Sequence, residues 1–283
     1  MSVKRNPNLG PSHMRQRRRR LFFIRFYIIL FLLLVIVITL AIFSSHDKVI
    51  VKNIVVVNNA AVTTDDIINI VNIDMAGRYA YLFAKNNYII FPRFKIKADI
   101  LKEIKTVKEV KVSWEKWQEI SITVEERKPH SVWCGDNMNT EQSGCYFVDR
   151  DGYIYNEAPD FSGSMFIKNY GLIQSFNNAT SSDPVDQYFL SVNIYQKIYS
   201  LINLLAEKNL RVEAVVFDGS DYKFNLNNGI YIIFNNKIDF AQTFGNLFSA
   251  METNNLDLNS DEEKIKYIDL RFENKIVVGK KEI

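Results

Sequence analysis

Three histidines, two cysteines and a few acid clusters are the side chains through which this 283-residue chain could do chemistry. His13 lies beside an arginine run, His46 follows a long apolar stretch, and His130 stands ahead of Ser131-Val132-Trp133-Cys134. No HExxH, CxxC, GxSxG, Walker or GxGxxG pattern occurs. Two cysteines exclude a four-thiolate zinc site and a disulfide-dense scaffold. Asp149 and Asp151 come nearest to a carboxylate pair, but they belong to the turn at Asp151-Gly152, and turn preference accounts for both. Glu125, Glu126 and Arg127 end a strand-like run, as a solvated edge or a structural ion pair. Asn178-Ala179-Thr180 matches the N-glycosylation acceptor, a pattern short enough to recur by chance. No catalytic residue, metal site or cofactor is expected.

The cysteines carry more. Cys134 and Cys145 bracket a polar insert, residues 135–144, between Trp133 and Tyr146. If the flanking segments pair as strands, the two thiols face each other at the base of the loop. They are then either a disulfide, in an oxidising compartment, or two small buried hydrophobes.

Charge divides the chain. Of 35 Lys and Arg, eight lie in the first 46 residues, where there is no acid; all 32 acids follow. The net charge of +3 thus describes a basic N-terminus on a mildly acidic body. A nucleic-acid reading would rest on Arg15–Arg20 alone, and none is expected. Apolar residues at 47% and charged ones at 24% fit a chain that folds.

The elements that position these residues fall into three pieces. Residues 1–20 hold almost no apolar side chains and predict an unordered basic tail. Residues 21–43 are interrupted only by Arg25, and Phe26–Phe43 is 18 residues without a charge. At 1.5 Å per residue that stretch alone spans about 27 Å, which predicts a transmembrane helix. A cleaved signal would carry a shorter apolar region and a small-x-small site, which Ala41-Ile42-Phe43 lacks. The arginine flank orients the helix with its N-terminus in the cytoplasm, so the bulk of the chain is expected outside a cytoplasmic membrane.

Residues 44–128 read as strand, helix, helix, strand, strand. Val49–Val57 is a strand, and Thr63-Thr64-Asp65-Asp66 caps a short helix. Phe94–Lys105 has helical spacing, and two alternating runs, around Val110–Trp114 and Ile120–Val124, form a hairpin. Residues 129–283 read as a strand-rich domain with helices. Short strands are expected at Ser131–Trp133, Tyr146–Val148 and Tyr153–Tyr155. A long helix is expected to open at Asp183-Pro184, as aspartate cap and proline at the first position. Three further strands, a helix through Phe240–Met251 and a closing hairpin of Lys264–Arg271 and Lys275–Val278 follow. Tight turns make antiparallel pairing the default. The class is α+β.

This order, with three local motifs, resembles the bacterial cell-division proteins FtsQ and DivIB. Val124-Glu125-Glu126-Arg127-Lys128-Pro129 resembles the family's V-x-E-R-x-P. Val148-Asp149-Arg150-Asp151-Gly152-Tyr153-Ile154-Tyr155 resembles its V-D-x-x-G-x-hydrophobic-aromatic segment, and Ile268-Asp269-Leu270-Arg271 its I/V-D-L-R. The chain departs from the family in lacking the glycine of V-x-G-N at Val57-Asn58-Asn59, in having His130 after Pro129, and in the cysteine-bracketed insert.

The resemblance implies a transmembrane helix, a POTRA-like β-α-α-β-β module and an antiparallel β-domain. It implies a non-enzymatic scaffold of the division septum that binds FtsB-like and FtsL-like partners and couples septum assembly to septal peptidoglycan synthesis, with no small-molecule substrate. Arg127, Pro129, Asp149, Gly152, Asp269 and Arg271 would be structural motif positions. Partner binding would fall on the last strand, through Phe272, Lys275, Ile276, Val277, Val278 and Gly279. The competing readings are a POTRA-type chaperone of secretion or membrane assembly and a membrane-tethered cell-wall enzyme. The first would bring repeated modules or a following barrel. The second needs convergent acid and base groups.

Overall fold

The computed structural model describes residues 11–138, 144–160, 165–173, 183–235, 237, 239–253, 258, 265–272 and 275–280, with side chains from residue 18 onward. Helix α1 (Pro11–Ser44) is continuous through the arginine run. It starts well ahead of Leu21, where the unordered tail was expected to end. Proline at the first position loses no helical hydrogen bond, and arginine is a good helix former. Its segment Arg18–Ser44, with mean hydropathy 3.2, is long and apolar enough to cross a membrane.

The chain divides into two compact units: residues 1–103 with 109–125, and residues 104–108 with 126–283. The first contains β1 (Asn53–Val57), α2 (Thr64–Met75), β2 (Arg78–Tyr79), β3 (Phe83–Ala84), α3 (Arg93–Glu103), β4 (Val107–Lys116) and β5 (Glu119–Glu126). Its sheet has the order β1-β5-β4, with β1 parallel to β5. Thr63 caps α2 as expected, its hydroxyl accepting the Asp66 amide at 3.2 Å. Ile67, Val71, Ile96, Ile100, Ile120 and Ile122 are fully buried. β1 is shorter than the expected run from Val49, because the preceding backbone bonds elsewhere: the Tyr88 amide donates to Val49 and the Val51 amide to Asn86. The two-residue strands β2 and β3, an antiparallel pair, lack a sequence signal.

The second unit holds β6 (Ser131–Trp133), β7 (Cys145–Val148), β8 (Tyr153–Ala158), β9 (Lys168–Tyr170), β10 (Gln187–Tyr188), α4 (Val192–Glu207), β11 (Val212–Phe217), β12 (Asp221–Leu226), β13 (Tyr231–Asn235), α5 (Phe240–Thr253), β14 (Ile265–Phe272) and β15 (Lys275–Lys280). One ten-stranded sheet runs β10-β8-β7-β6-β9-β11-β12-β13-β14-β15. Antiparallel pairing is not universal in it. β9 lies parallel to both β6 and β11, and β13 parallel to β14, where α5 makes the crossover that parallel strands need. The mixed α+β class holds.

The helix expected at Asp183-Pro184 begins instead at Val192, after Ser191. Asp183 uses its carboxylate on the Val185 amide as a turn, β10 pairs with β8, and the Phe189 amide donates to Gly152. A backbone held this way cannot be helical. Phe189 is nonetheless buried in the core that Tyr195, Ile198, Ile202 and Leu205 of α4 share with Tyr222, Phe224, Phe234 and Phe244. A smaller cluster gathers Val132, Cys134 and Ala158 with Cys145, Phe147, Phe166 and Tyr170. Successive residues of β6 divide between the two clusters, as the period of a strand requires.

Cys134 and Cys145 are bonded to each other, with Cα atoms 4.3 Å apart. The sequence separation of 11 closes a short loop over the β6–β7 pair. In the chain-entropy picture such a loop stabilises by roughly 3 kcal/mol. Cys134→Ala/Cys145→Ala, compared with the oxidised parent by urea unfolding, should lose stability of that order, and the parent with reductant should match the double variant. Equal midpoints for all three would show that the bridge contributes nothing.

Candidate protein-interaction edge

β15 is the end strand of the ten-stranded sheet among the described strands, hydrogen-bonded on one side to β14. Its register sets Gly279 against Tyr267, Val278 against Ile268, Val277 against Asp269 and Lys275 against Phe272. Ile276 and Val278 pack on the core, whereas Val277 is 40% exposed. Lys275 and Lys280 are exposed at its two ends, and Phe272, 53% exposed, stands at the end of β14 beside Lys275. The sequence-expected residues Phe272, Lys275, Ile276, Val277, Val278 and Gly279 therefore lie together on one hairpin. In an antiparallel ladder alternate residues turn their N–H and C=O toward the neighbouring strand, and the others turn them outward. The outward set on an end strand is a template for a further strand.

Gly279 is required for space. A Cβ there would fall within the ring of Tyr267. That ring stacks on Tyr231 of β13 at 5.5 Å, and the Lys223 ammonium lies 4.1 Å from the centre of the Tyr231 ring. Lys223, Tyr231, Tyr267 and Gly279 thus form one row across four strands, ending at the edge. Cross-strand pairs of this kind fix register.

The Asp269 and Arg271 motif holds β14. Arg271 forks onto Asp269, Nη2 to Oδ2 at 2.6 Å and Nε to Oδ1 at 3.0 Å, and its Nη1 reaches Asp221 of β12 at 2.6 Å. The Arg271 amide also donates to Asp269 Oδ1. These bonds, first of all those from the guanidinium, hold the Asp269 carboxyl below its ordinary range.

The other motif residues form a separate cluster in the same unit. Arg127 donates from Nη1 to Asp149, from Nε to the Lys105 carbonyl at 3.1 Å and from its amide to Thr106 at 2.7 Å; its guanidinium covers the ring of Tyr153 at 3.8 Å. Asp149 is buried, and its Oδ1 accepts the amides of Asp151 and Tyr153. Gly152 has φ +81°, and a side chain there would press on Tyr195. Pro129 lies exposed between β5 and β6. Of the two readings of Arg127, an ion pair is what the structure contains.

The carboxylates nearest to an acid–base pair are held in bonds of the fold. Asp149 binds Arg127, and Asp151 binds Lys108 at 2.8 Å and Gln196 at 3.2 Å. His130 packs on Tyr199 at 4.6 Å, and burial pushes its pKa down. Among the described residues no three His, Cys, Asp or Glu side chains are grouped to hold a metal. Asn178, Thr180, and the Glu273, Asn274 and Lys281 that flank the edge lie outside the described residues. Sequence reasoning missed Tyr267 as the ring over Gly279, Asp221 as second partner of Arg271, and the Lys105 and Thr106 carbonyls as acceptors for Arg127. Only the alternation of Tyr267, Asp269 and Arg271 with Ile268 and Leu270 signalled that the first three share a face.

In comparison with known proteins, no family model matches the chain. No curated protein matches it either.

Two outcomes are expected of this edge. Gly279→Val should lower the melting temperature, and adding Tyr267→Ala should recover part of the loss; a double variant no better than Gly279→Val would show that the ring is not the obstacle. Because Asp269 titrates lower when folded, its bonds stabilise at pH above about 4 and are lost as pH falls through the folded value. The stability gap between the parent and Asp269→Asn should therefore be wide at pH 7 and narrow at pH 3 in urea unfolding. An unchanged gap would place the effect of Asp269 outside its charge.

Proposed function

We propose that this chain is a non-enzymatic, membrane-anchored scaffold of the bacterial division septum, of the FtsQ and DivIB kind. Its edge strand β15 receives a strand from an FtsB-like partner, and through this partner and an FtsL-like one it couples septum assembly to septal peptidoglycan synthesis. The observation that carries the reading is the position of β15. The segment that the motif resemblance singles out for partner binding is the end strand of the large sheet, with Phe272 and Val277 exposed beside it. Backbone pairing at such an edge supplies affinity, and alternate side chains supply selectivity. Lys275 and Lys280 at its ends disfavour pairing with unselected strands.

Other features support the same reading. The arginine-flanked apolar helix suits an anchor with its N-terminus in the cytoplasm and both units outside. The first unit has the element order of a POTRA-like module, with the β2–β3 hairpin added between its helices. Asp149 and Asp151, engaged in ion pairs, are poor candidates for the acid and base of a tethered cell-wall enzyme.

Proline removes the N–H that an added strand needs. With proline placed in turn at Ile276, Val277 and Val278, co-purification with the FtsB-like protein of the same cell should be lost at the outward-facing position, with circular dichroism unchanged there. Phe272→Ala should weaken binding by about 2 kcal/mol as an aromatic anchor. If all three proline variants bind like the parent, β15 is not the interface.

A further inference from the structure

The last turns of α1 do not leave the membrane span as a bare stalk. Ser44 is buried, its hydroxyl accepting the Ala84 amide at 3.2 Å and its carbonyl accepting Asn87 Nδ2 at 2.9 Å. Ala41, inside the apolar segment, is only 7% exposed, whereas Leu40, Ile42 and Phe43 around it are more than half exposed. Ala41 and Ser44 are one turn apart on one helix face, and α1 packs there against β3. The β2–β3 hairpin is therefore latched to a part of α1 that is still apolar.

The tip of that hairpin is unusual. The turn from Tyr79 to Leu82, closed by the Leu82 amide on the Tyr79 carbonyl at 2.9 Å, has Ala80 and Tyr81 at φ 46° and 62°. Turns of this geometry favour Asn and Gly, and neither is present. The strained turn presents Tyr81 95% exposed and Leu82 42% exposed. Other aromatic groups gather on the segment just after α1. Trp117 Nε1 donates to the Lys48 carbonyl at 3.0 Å, Tyr88 packs on Trp117 at 5.3 Å, and Trp114 Nε1 donates to the Tyr88 carbonyl at 2.8 Å. Ile89 and Ile90 stand exposed beside them, 62% and 40%. Tyrosine and tryptophan with a wet polar end and an apolar body are the side chains that collect at the lipid–water boundary.

We propose that the tip of the β2–β3 hairpin, with Tyr81 and Leu82 foremost, inserts into the outer lipid–water interface beside α1. The occupant of this apolar surface is the bilayer. The hairpin is fixed to α1 at Ala41, within the apolar span, and the interfacial layer on each side of the hydrocarbon is about 5–8 Å thick. The hairpin would then be a second membrane contact that fixes how the first unit stands on the surface. The inference rests on the reading of α1 as a membrane-spanning helix.

The test uses the full chain, with Cys134 and Cys145 bridged, in vesicles of phosphatidylcholine and phosphatidylglycerol. An environment-sensitive fluorophore is attached singly at Tyr81→Cys, Leu82→Cys, Thr39→Cys or Asp65→Cys. Thr39 reports the span, and Asp65 lies at the far end of α2 from the hairpin. Quenching by lipids spin-labelled near the headgroup is compared with quenching by lipids labelled deep in the acyl chain. The Tyr81 and Leu82 labels should be quenched several-fold more than Asp65, and more by the shallow quencher than by the deep one. Thr39 quenched while Tyr81 and Leu82 match Asp65 would overturn the hairpin insertion and leave the span intact. Thr39 unquenched would overturn the span and the insertion with it.

Discussion

Arg127 has five side-chain N–H donors in a fixed planar fork and accepts nothing, so a half-buried arginine must be surrounded by acceptors. In this chain those acceptors come from separate stretches of sequence: a carbonyl at Lys105 and the carboxylate of Asp149, with the ring of Tyr153 beneath the guanidinium. Asp149 spends its other oxygen on the amides of its own turn. One cation thereby holds the short segment 104–108 and the start of β8 in a single arrangement. Removing either charge would leave the other buried and unpaired, which is far costlier than the net contribution of the pair. The rest of the large sheet is built outward from this fixed end.

At the other end the constraint is different. A sheet that does not close must stop somewhere, and its last strand keeps a row of backbone groups without partners in the sheet. Here the last strand is short, carries lysines at both ends, and is seated by a glycine beneath a stacked tyrosine. Arg271, braced against Asp269 and Asp221, fixes the strand it hangs from. Those contacts set the register of the edge, and an edge already held in place loses less entropy when another chain orders against it.

Much of this was legible because it is local. Alternation located most strands, and Thr63 announced its helix through a capping bond three residues long. What was illegible is long-range. Asp183-Pro184 has the residue types of a helix start, but pairing of β10 with β8 and the Phe189-to-Gly152 bond determine that backbone. β9 is three residues without a pattern, and its two parallel partners are distant in sequence. The six edge residues came from motif resemblance, and no spacing rule could have shown that Gly279 is needed by a ring twelve residues earlier. Arg127 was visible at the end of a strand and Asp149 in a turn, while their bond, spanning 22 positions, was not.

The three residues of β9 have a mechanical consequence. They are the only described strand joining β10-β8-β7-β6 to β11 through β15, so the ten-stranded sheet is two panels stitched along one short seam. Few ladder bonds cross it, and torsion between the panels concentrates there. At its midpoint stands Asn169, 1% exposed, whose amide donates to the Ser131 hydroxyl and the Val132 carbonyl and whose Oδ1 accepts the Tyr199 hydroxyl. A polar rivet sits where the backbone stitching is thinnest, and through it a pull on the outer panel is passed to α4 and β6 rather than opening the seam.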